Sequence, residues 1–191
     1  MRKSVGLAAL LVASMLAGSA LAQSPAPADK DAHVKKVTAW VTANVKPWLS
    51  DPKVVEAVKA QNKKNAKLDY LEIQQLDADW KAKKPLVEAT MNNALSAFLK
   101  EKKAALKGVM TEAFVMDDRG LNVGQTDATS DYFQADEAKW QKTYGAGPDA
   151  IFVDAVEDDG GKKIAQASLT IVDGGKAIGA ITVGVDVDQV K

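Results

Sequence analysis

The chain has 191 residues, with 25 basic and 25 acidic side chains, no cysteine and one histidine. That length can bury one substantial hydrophobic core, and without cysteine its stability must come from packing rather than from disulfides. A single histidine and no cysteine argue against nucleophilic triads and zinc sites, so we expect no enzyme activity, no metal and no cofactor.

The first 22 residues have the pattern of a secretory signal peptide. Two basic residues precede an apolar run at residues 5–16, and an Ala-x-Ala cleavage site ends at Ala22. The pattern predicts export and a mature chain that begins at Gln23, and the lack of cysteine favours a periplasmic location. Residues 23–30, rich in proline and alanine, are predicted to be a linker. No second long apolar run follows, so we expect a soluble mature chain that is not embedded in a membrane.

Charge is divided unevenly between the two parts of the mature chain. Residues 29–107 contain 16 lysines and 10 acidic side chains, whereas residues 108–191 contain 7 basic and 15 acidic ones. The lysines are spread through helical patterns without arginines that could read bases, so no nucleic-acid partner is expected. The difference in composition predicts two layers.

Residues 31–107 form the predicted helical segment. Apolar residues recur there at steps of three and four, which indicates helices with one face in a core. A proline at position 47 ends the first helix, and Ser50-Asp51-Pro52 restarts the next. The predicted helices cover residues 31–45, 52 to about 66, 68–83 and 85–103, with polar loop character at residues 62–65.

Residues 108–191 form the predicted sheet segment, where the apolar period changes to two. Tight turns are predicted at Asp118-Arg119-Gly120 and at Asp173-Gly174-Gly175. The predicted strands cover residues 111–117, 121–126, 151–156, 163–172 and 177–187. The fold class is therefore α+β, with N-terminal helices packed with a five-stranded antiparallel sheet, and residues 31–191 form one domain.

A long connection, residues 127–147, separates the second strand from the third, and we call it the cover segment. It is too long for a hairpin turn and combines aromatic with charged residues, as small-molecule pockets do. We predict that it covers one sheet face, with a helix over residues 136–143, and closes a binding site there. The candidate ligand-binding residues are the aromatic walls Tyr132, Trp140 and Tyr144, the charge-reading Asp131 and Lys139, and Gln166 on the fourth strand as a floor.

Other interpretations of these residues stay open. The aromatic residues could simply cap the core of the sheet, with the charged ones as solvated neighbours. An enzyme would have to use Asp131, Asp136 and Glu137 as its acids. The acidic residues between 154 and 159 lack the residue order of a calcium loop and indicate a solvated hairpin turn. His33, at the start of the first helix, is predicted to be exposed.

Several motifs resemble those of extracytoplasmic Cache sensor domains of the single-module, PAS-like kind. They are Ile73…Leu76-Asp77-x-x-Trp80, FVMDDRGLNVGQT, TSDYFQADEAKW and GKAIGAITVGVDV. The resemblance covers residues 34–187. It implies a long N-terminal helix, a sheet with strand order 2-1-5-4-3, and a small-molecule pocket between the sheet and the connection after its second strand.

The resemblance also implies a function, with two departures. Cache modules sit between two transmembrane helices of a receptor, whereas this chain shows neither a second span nor an output domain. We therefore expect a sensor-type binding module that acts through a partner, such as a membrane sensor. Lys139-Trp140 is followed by Gln141 rather than by the family's Arg-x-Trp-Tyr pattern. This departure argues against relying on an amino acid as the ligand and leaves a small carboxylate or another metabolite as an equal candidate.

Two further expectations concern association with other proteins. In the family the N-terminal helix often mediates parallel dimers, so the resemblance predicts a weak homodimer through residues 31–45. The alternative function is a structural or adaptor protein that binds a partner through its helices. Such a protein would have a filled sheet face without a cavity.

Overall fold

The computed structural model describes residues 32–191, and the predicted signal peptide and linker lie outside them. The helices are α1 (Ala32–Asn44), α2 (Pro52–Asn65), α3 (Tyr70–Lys81), α4 (Pro85–Met91), α5 (Ala94–Ala105) and α6 (Ala138–Gln141), with 3-10 turns at Lys46–Ser50 and Tyr144–Ala146. The strands are β1 (Met110–Met116), β2 (Asn122–Gln125), β3 (Ile151–Asp159), β4 (Lys162–Asp173) and β5 (Lys176–Asp186).

These strands form one antiparallel sheet in the order β2-β1-β5-β4-β3. The order confirms the prediction, and helices followed by an antiparallel sheet confirm the α+β class. The central strand β5 is buried along most of its length, which explains why its apolar residues do not alternate cleanly with polar ones. The two-residue turn between β4 and β5 is made by Gly174 and Gly175, both at positive φ, as a type I′ hairpin requires.

The two faces of the sheet have different partners. Alternation along β1 turns Val115 toward the helices and Phe114 toward the cover segment. The helix-facing side builds the main hydrophobic core of the molecule. Its fully buried members include Val37, Val41, Val58, Leu99, Val115, Ile171, Ile181, Val183 and Val185. This core fixes the sheet and leaves its other face for the cover segment.

Local capping signals set where α2 and α3 begin. The side chain of Asp51 accepts a hydrogen bond from the Lys53 amide, and a proline follows in the first turn. Asp69 and Glu72 form a reciprocal capping box at the start of α3. These groups satisfy backbone donors that a helix end otherwise leaves unpaired.

Three predicted boundaries were wrong. The helix predicted over residues 85–103 is two helices, because the Asn93 side chain caps a new start by accepting from the Ser96 amide at 2.8 Å. Residues 62–65 belong to α2 rather than to a loop, because their polar side chains bond to the β1–β2 turn and the neighbouring strand. The predicted helix over residues 136–143 is only the short α6.

The apolar stripe of α1 is buried in the hydrophobic core of its own chain. Val37 and Val41 have no exposed surface, and Trp40 and Trp48 pack against the same core. The stripe is therefore not free to form an interface, and the homodimer stays a prediction without support from this helix face. None of the described helices is long and apolar enough to cross a membrane.

Candidate functional site

The first part of the cover segment is bound to α3. The buried Asp77 accepts through Oδ1 from the amides of Tyr132 at 2.8 Å and Phe133 at 3.1 Å. The Trp80 indole donates to the Thr129 carbonyl at 2.8 Å. The segment therefore enters the sheet face from a fixed position on the helical layer.

Two predicted site residues belong to this attachment. The Asp131 carboxylate lies 2.7 Å from Lys81 Nζ and accepts from the Ser130 hydroxyl, and these contacts hold its pKa below the usual range. Tyr132 is 4 % exposed and its ring centroid lies 5.4 Å from that of Trp80. Burial, with a nearby Asp117, raises the pKa of Tyr132.

The second part of the cover segment lies on the sheet. Trp140 and Tyr144 have ring centroids 4.9 Å apart and pack against Phe114, Met116 and Ala180. The Trp140 indole also donates to the Asp117 carbonyl at 3.2 Å. Both rings therefore cap the sheet, which is the packing role that the sequence analysis gave as the alternative to ligand binding.

A cleft of about 330 Å³ remains between the cover segment, the middle of the sheet and the β3–β4 hairpin. It is lined by Glu112, Glu137, Lys139, Asp154, Ala155, Glu157, Asp159, Ile164 and Gln166. Five of these nine residues carry carboxylates and one carries an ammonium group. The cleft is therefore strongly acidic, although the chain as a whole is neutral.

The floor of the cleft is built across β5. Glu112 on β1 and Gln166 on β4 are both register partners of Gly184. Gln166 Nε2 donates to Glu112 Oε1 at 2.8 Å above that glycine. A Cβ on Gly184 would lie 2.8 Å from the Cγ atom of Glu112, so the missing side chain allows this bridge.

The roof of the cleft carries its one cation. Lys139 Nζ lies 2.7 Å from Glu137 Oε2 and 5.4 Å from the centroid of the Phe114 ring. The Lys139 side chain is 14 % exposed, so most of it is withdrawn from water. Its charge already has an anionic and an aromatic partner.

The outer wall of the cleft belongs to β3. The β3–β4 ladder has an irregularity between Val153 and Val156, and Asp154 and Ala155 in that interval line the cleft. His33 of α1 contacts the Asp154 carbonyl through Nε2 at 2.8 Å. The first turn of α1 thus contacts the backbone of this wall.

The structure brings together only part of the predicted site. Lys139 and Gln166 line the cleft, Trp140 and Tyr144 lie beside it, and Asp131 belongs to the attachment on α3 together with Tyr132. A ligand-binding role for any of them stays a prediction. The sequence analysis missed the acidic lining from Glu112, Asp154, Glu157 and Asp159, and the available signal was the excess of acidic residues after residue 108.

A larger depression of about 740 Å³ lies beside the α3–α4 turn, next to Trp80, Lys83 and Ser130. Two of its three lysines already have carboxylate partners, since Lys81 pairs with Asp77 and Asp131 and Lys84 pairs with Asp79. It therefore offers less unpaired charge than the cleft. Within residues 32–191 no group of three or more His, Asp or Glu side chains is arranged to hold a metal ion.

Comparison with known proteins gives structural matches only. No family model matches the chain, and no curated protein matches it. The sensor domain of the V. cholerae histidine kinase DctB is 12% identical with a TM-score of 0.46, over 82% of this chain and 52% of that one. The sensory domain of the Campylobacter jejuni chemoreceptor Tlp3 is 15% identical with a TM-score of 0.39, over 81% of this chain and 63% of that one.

A third similar structure is the ligand-binding domain of the Pseudomonas aeruginosa amino-acid chemoreceptor PctC in complex with GABA. It is 14% identical with a TM-score of 0.37, over 85% of this chain and 63% of that one. The chain thus spans between 52% and 63% of the length of these three solved domains. The similar structures are sensor, sensory or ligand-binding domains, and the observed strand order β2-β1-β5-β4-β3 is the one that the resemblance to Cache domains implied.

Proposed function

We propose that the chain is a small-molecule-binding, sensor-type module of the Cache-like kind, and that the cleft between the cover segment and the sheet binds a small cation such as an organic amine. One observation carries the proposal. The cleft is lined by five carboxylates, while its one ammonium group is already paired within the chain.

The polar groups of the lining are mainly hydrogen-bond acceptors. Carboxylates accept but do not donate, and the donating amide of Gln166 is used by Glu112. A ligand that satisfies this lining must bring donors, and an ammonium group brings three together with a positive charge. An anionic ligand would meet repulsion from the five carboxylates of the lining, and the one cation, Lys139, is already paired with Glu137. The lining therefore disfavours the small carboxylate that we considered from the sequence.

The size of the cleft limits the ligand. A volume of about 330 Å³ is at the lower end of the range for small-molecule sites. The ligand we propose is accordingly a small amine or diamine rather than a peptide or a nucleotide.

The cleft supports a binding role over the other classes of function that the sequence left open. An adaptor that uses only its helices predicts a filled sheet face, whereas this face retains a cleft. Two of the three acids considered for an enzyme have separate lysine partners, Asp131 with Lys81 and Glu137 with Lys139, and the third, Asp136, is exposed. We therefore propose binding without catalysis, in the periplasm, with any signal passed to a membrane sensor partner.

The experiment is a thermal-shift and calorimetric titration of the mature chain with two four-carbon probes of opposite charge, 1,4-diaminobutane and succinate. We expect the diamine to bind and succinate not to bind. A ligand at 100 times its dissociation constant adds about 2.7 kcal/mol to the free energy of unfolding, which the melting temperature will show.

Site variants localise the binding. Glu112→Gln removes one floor carboxylate and should weaken diamine binding about tenfold, since a hydrogen bond to a charged group contributes about 1.5–3 kcal/mol. Glu101→Gln makes the same chemical change on the exposed surface of α5, away from the cleft, and should leave the affinity unchanged. Stabilisation by succinate alone would contradict the proposed ligand class, and no response to either charge would favour the adaptor alternative.

A further inference from the structure

We infer that Lys139 is a specificity-determining residue whose ammonium group occupies the position that a ligand cation takes in the cleft. This inference rests on the proposed function, because it concerns the same cleft. From the sequence, Lys139 was expected to recognise a charged group of the ligand. The inference instead has Lys139 compete with the ligand cation for the same position.

The contacts of Lys139 are those of a bound cation. Its Nζ atom forms an ion pair with Glu137 at 2.7 Å and lies over the face of Phe114, with 5.4 Å to the ring centroid. An ammonium group over an aromatic face and beside a carboxylate is a recurrent arrangement for amine recognition. The cleft thus already holds one ammonium ion, which is supplied by the chain itself.

The charge of the lining supports the same conclusion. Lys139 is the one basic residue among the nine that line the cleft, and it partly neutralises five carboxylates. Without it, the mutual repulsion of the carboxylates would be less compensated, and they would attract a soluble cation more strongly. A ligand amine must therefore either displace Lys139 from Glu137 or bind beside it at an electrostatic cost.

A second lysine on the same short stretch provides a matched control. Lys142 also has its ammonium group over an aromatic ring, 4.4 Å from the Phe152 centroid, but it is exposed and does not line the cleft. The two lysines have the same charge, belong to the same part of the cover segment and make the same kind of ring contact. They differ in whether their charge lies in the cleft.

The test compares the dissociation constant of 1,4-diaminobutane for four forms of the mature chain: wild type, Lys139→Met, Lys139→Arg and Lys142→Met. Lys139→Met keeps most of the side-chain volume and removes the charge, so it should bind the diamine about tenfold more tightly. Lys142→Met should stay within about twofold of wild type. Lys139→Arg keeps the internal cation and should show no gain.

Each outcome decides the inference. Tighter binding by Lys139→Met alone supports it. Binding by that variant but not by wild type supports the position assigned to Lys139 and overturns the proposed ligand of the native chain. Equal or weaker binding by Lys139→Met, with clear binding by wild type, overturns the inference and leaves the proposed function standing. If neither wild type nor Lys139→Met binds the diamine, the inference and the proposed function are both overturned. If Lys139→Met does not fold, as judged by its melting curve, Lys139→Gln is measured in its place with the same expected gain.

Discussion

Lys83 has a backbone conformation that is unfavourable for a lysine. Its φ is +53°, in the left-handed region, at the residue that follows the C-cap of α3. The Lys83 amide donates to the Trp80 carbonyl and the Lys84 amide donates to the Asp79 carbonyl. This pair of bonds is the Schellman motif, in which glycine usually occupies the left-handed position because it lacks Cβ.

We therefore expect Lys83→Gly to stabilise the protein by about 0.5–1 kcal/mol. Removal of Cβ relieves about 1–2 kcal/mol of backbone strain, and the greater entropy of glycine in the unfolded chain offsets part of the gain. The measurement is the free energy of unfolding from denaturant titration. Lys83→Ala is the control because alanine also loses the long side chain but keeps Cβ, so it should show no such gain.

The residue scale also shows where sequence reasoning succeeded and where it could not. The β1–β2 turn was predicted at Asp118-Arg119-Gly120, and Asp117 just before it supports this turn, because its Oδ1 accepts from the amides of Arg119 and Leu121. Its Oδ2 accepts from Gln61 and Asn65 of α2, which lie 56 and 52 residues away in sequence. The local bonds follow from turn chemistry, whereas the distant ones depend on how α2 packs and leave no local pattern.

At the scale of elements, α3 and the cover segment are joined mainly by Asp77. This side chain is buried, and its two oxygens accept from the amides of Tyr132 and Phe133 and from Lys81. No other part of α3 bonds to two consecutive amides of the cover segment in the described structure. Removal of the carboxylate would leave these amides without acceptors in a poorly hydrated place.

We expect Asp77→Ala to lower the free energy of unfolding by about 2–4 kcal/mol, because buried amides would lose a charged acceptor. Asp77→Asn keeps one acceptor oxygen and should cost less. Hydrogen exchange of residues 129–134 should become faster in Asp77→Ala, since these residues lose their attachment to α3.

Asp79 on the same helix is the control for this prediction. Its carboxylate pairs with Lys84 at 2.9 Å in an exposed position, so Asp79→Ala should have a much smaller effect and leave exchange of residues 129–134 unchanged. If Asp77→Ala and Asp79→Ala lower the free energy of unfolding equally, the buried attachment contributes no more to stability than the exposed ion pair.

The elements themselves could be predicted because their signals are local. Apolar spacing of three to four residues identified α1, α2 and α3, and the change to a period of two at Gly108 marked where the sheet begins. The cover segment gave a weaker signal. Its aromatic residues indicated contact with the sheet but not which part would attach to α3 and which would lie on β1.

At the scale of the whole molecule, the cleft combines residues from distant parts of the chain. Glu112, Glu137, Asp154 and Gln166 come from β1, the cover segment, β3 and β4. Strand order places β1 and β4 on opposite sides of β5. Because Gly184 of β5 has no side chain, Gln166 can donate a hydrogen bond to Glu112 across it. The acidic hairpin is exposed, as predicted, and it also forms one wall of this cleft, which the sequence could not show without the register of the sheet.

The predicted signal peptide determines where this cleft would meet a ligand. We expect the full chain, expressed in a Gram-negative host, to appear in the periplasmic fraction with a mass that corresponds to residues 23–191. The Ala-x-Ala pattern that ends at Ala22 is the expected cleavage site. The described fold begins at Ala32, so cleavage before Gln23 would leave α1 and its contact with Asp154 intact.

The double variant Ala20→Asp, Ala22→Asp tests the cleavage site, because charged residues replace the small ones that the pattern requires. We expect this variant to keep its first 22 residues and to stay with the membrane fraction. The same melting temperature for the cleaved chain and for a chain expressed from Gln23 would show that the leader plays no part in the stability of the fold. An uncleaved wild-type chain in the cytoplasm would contradict the export prediction, and the cleft would then sample cytoplasmic rather than periplasmic amines.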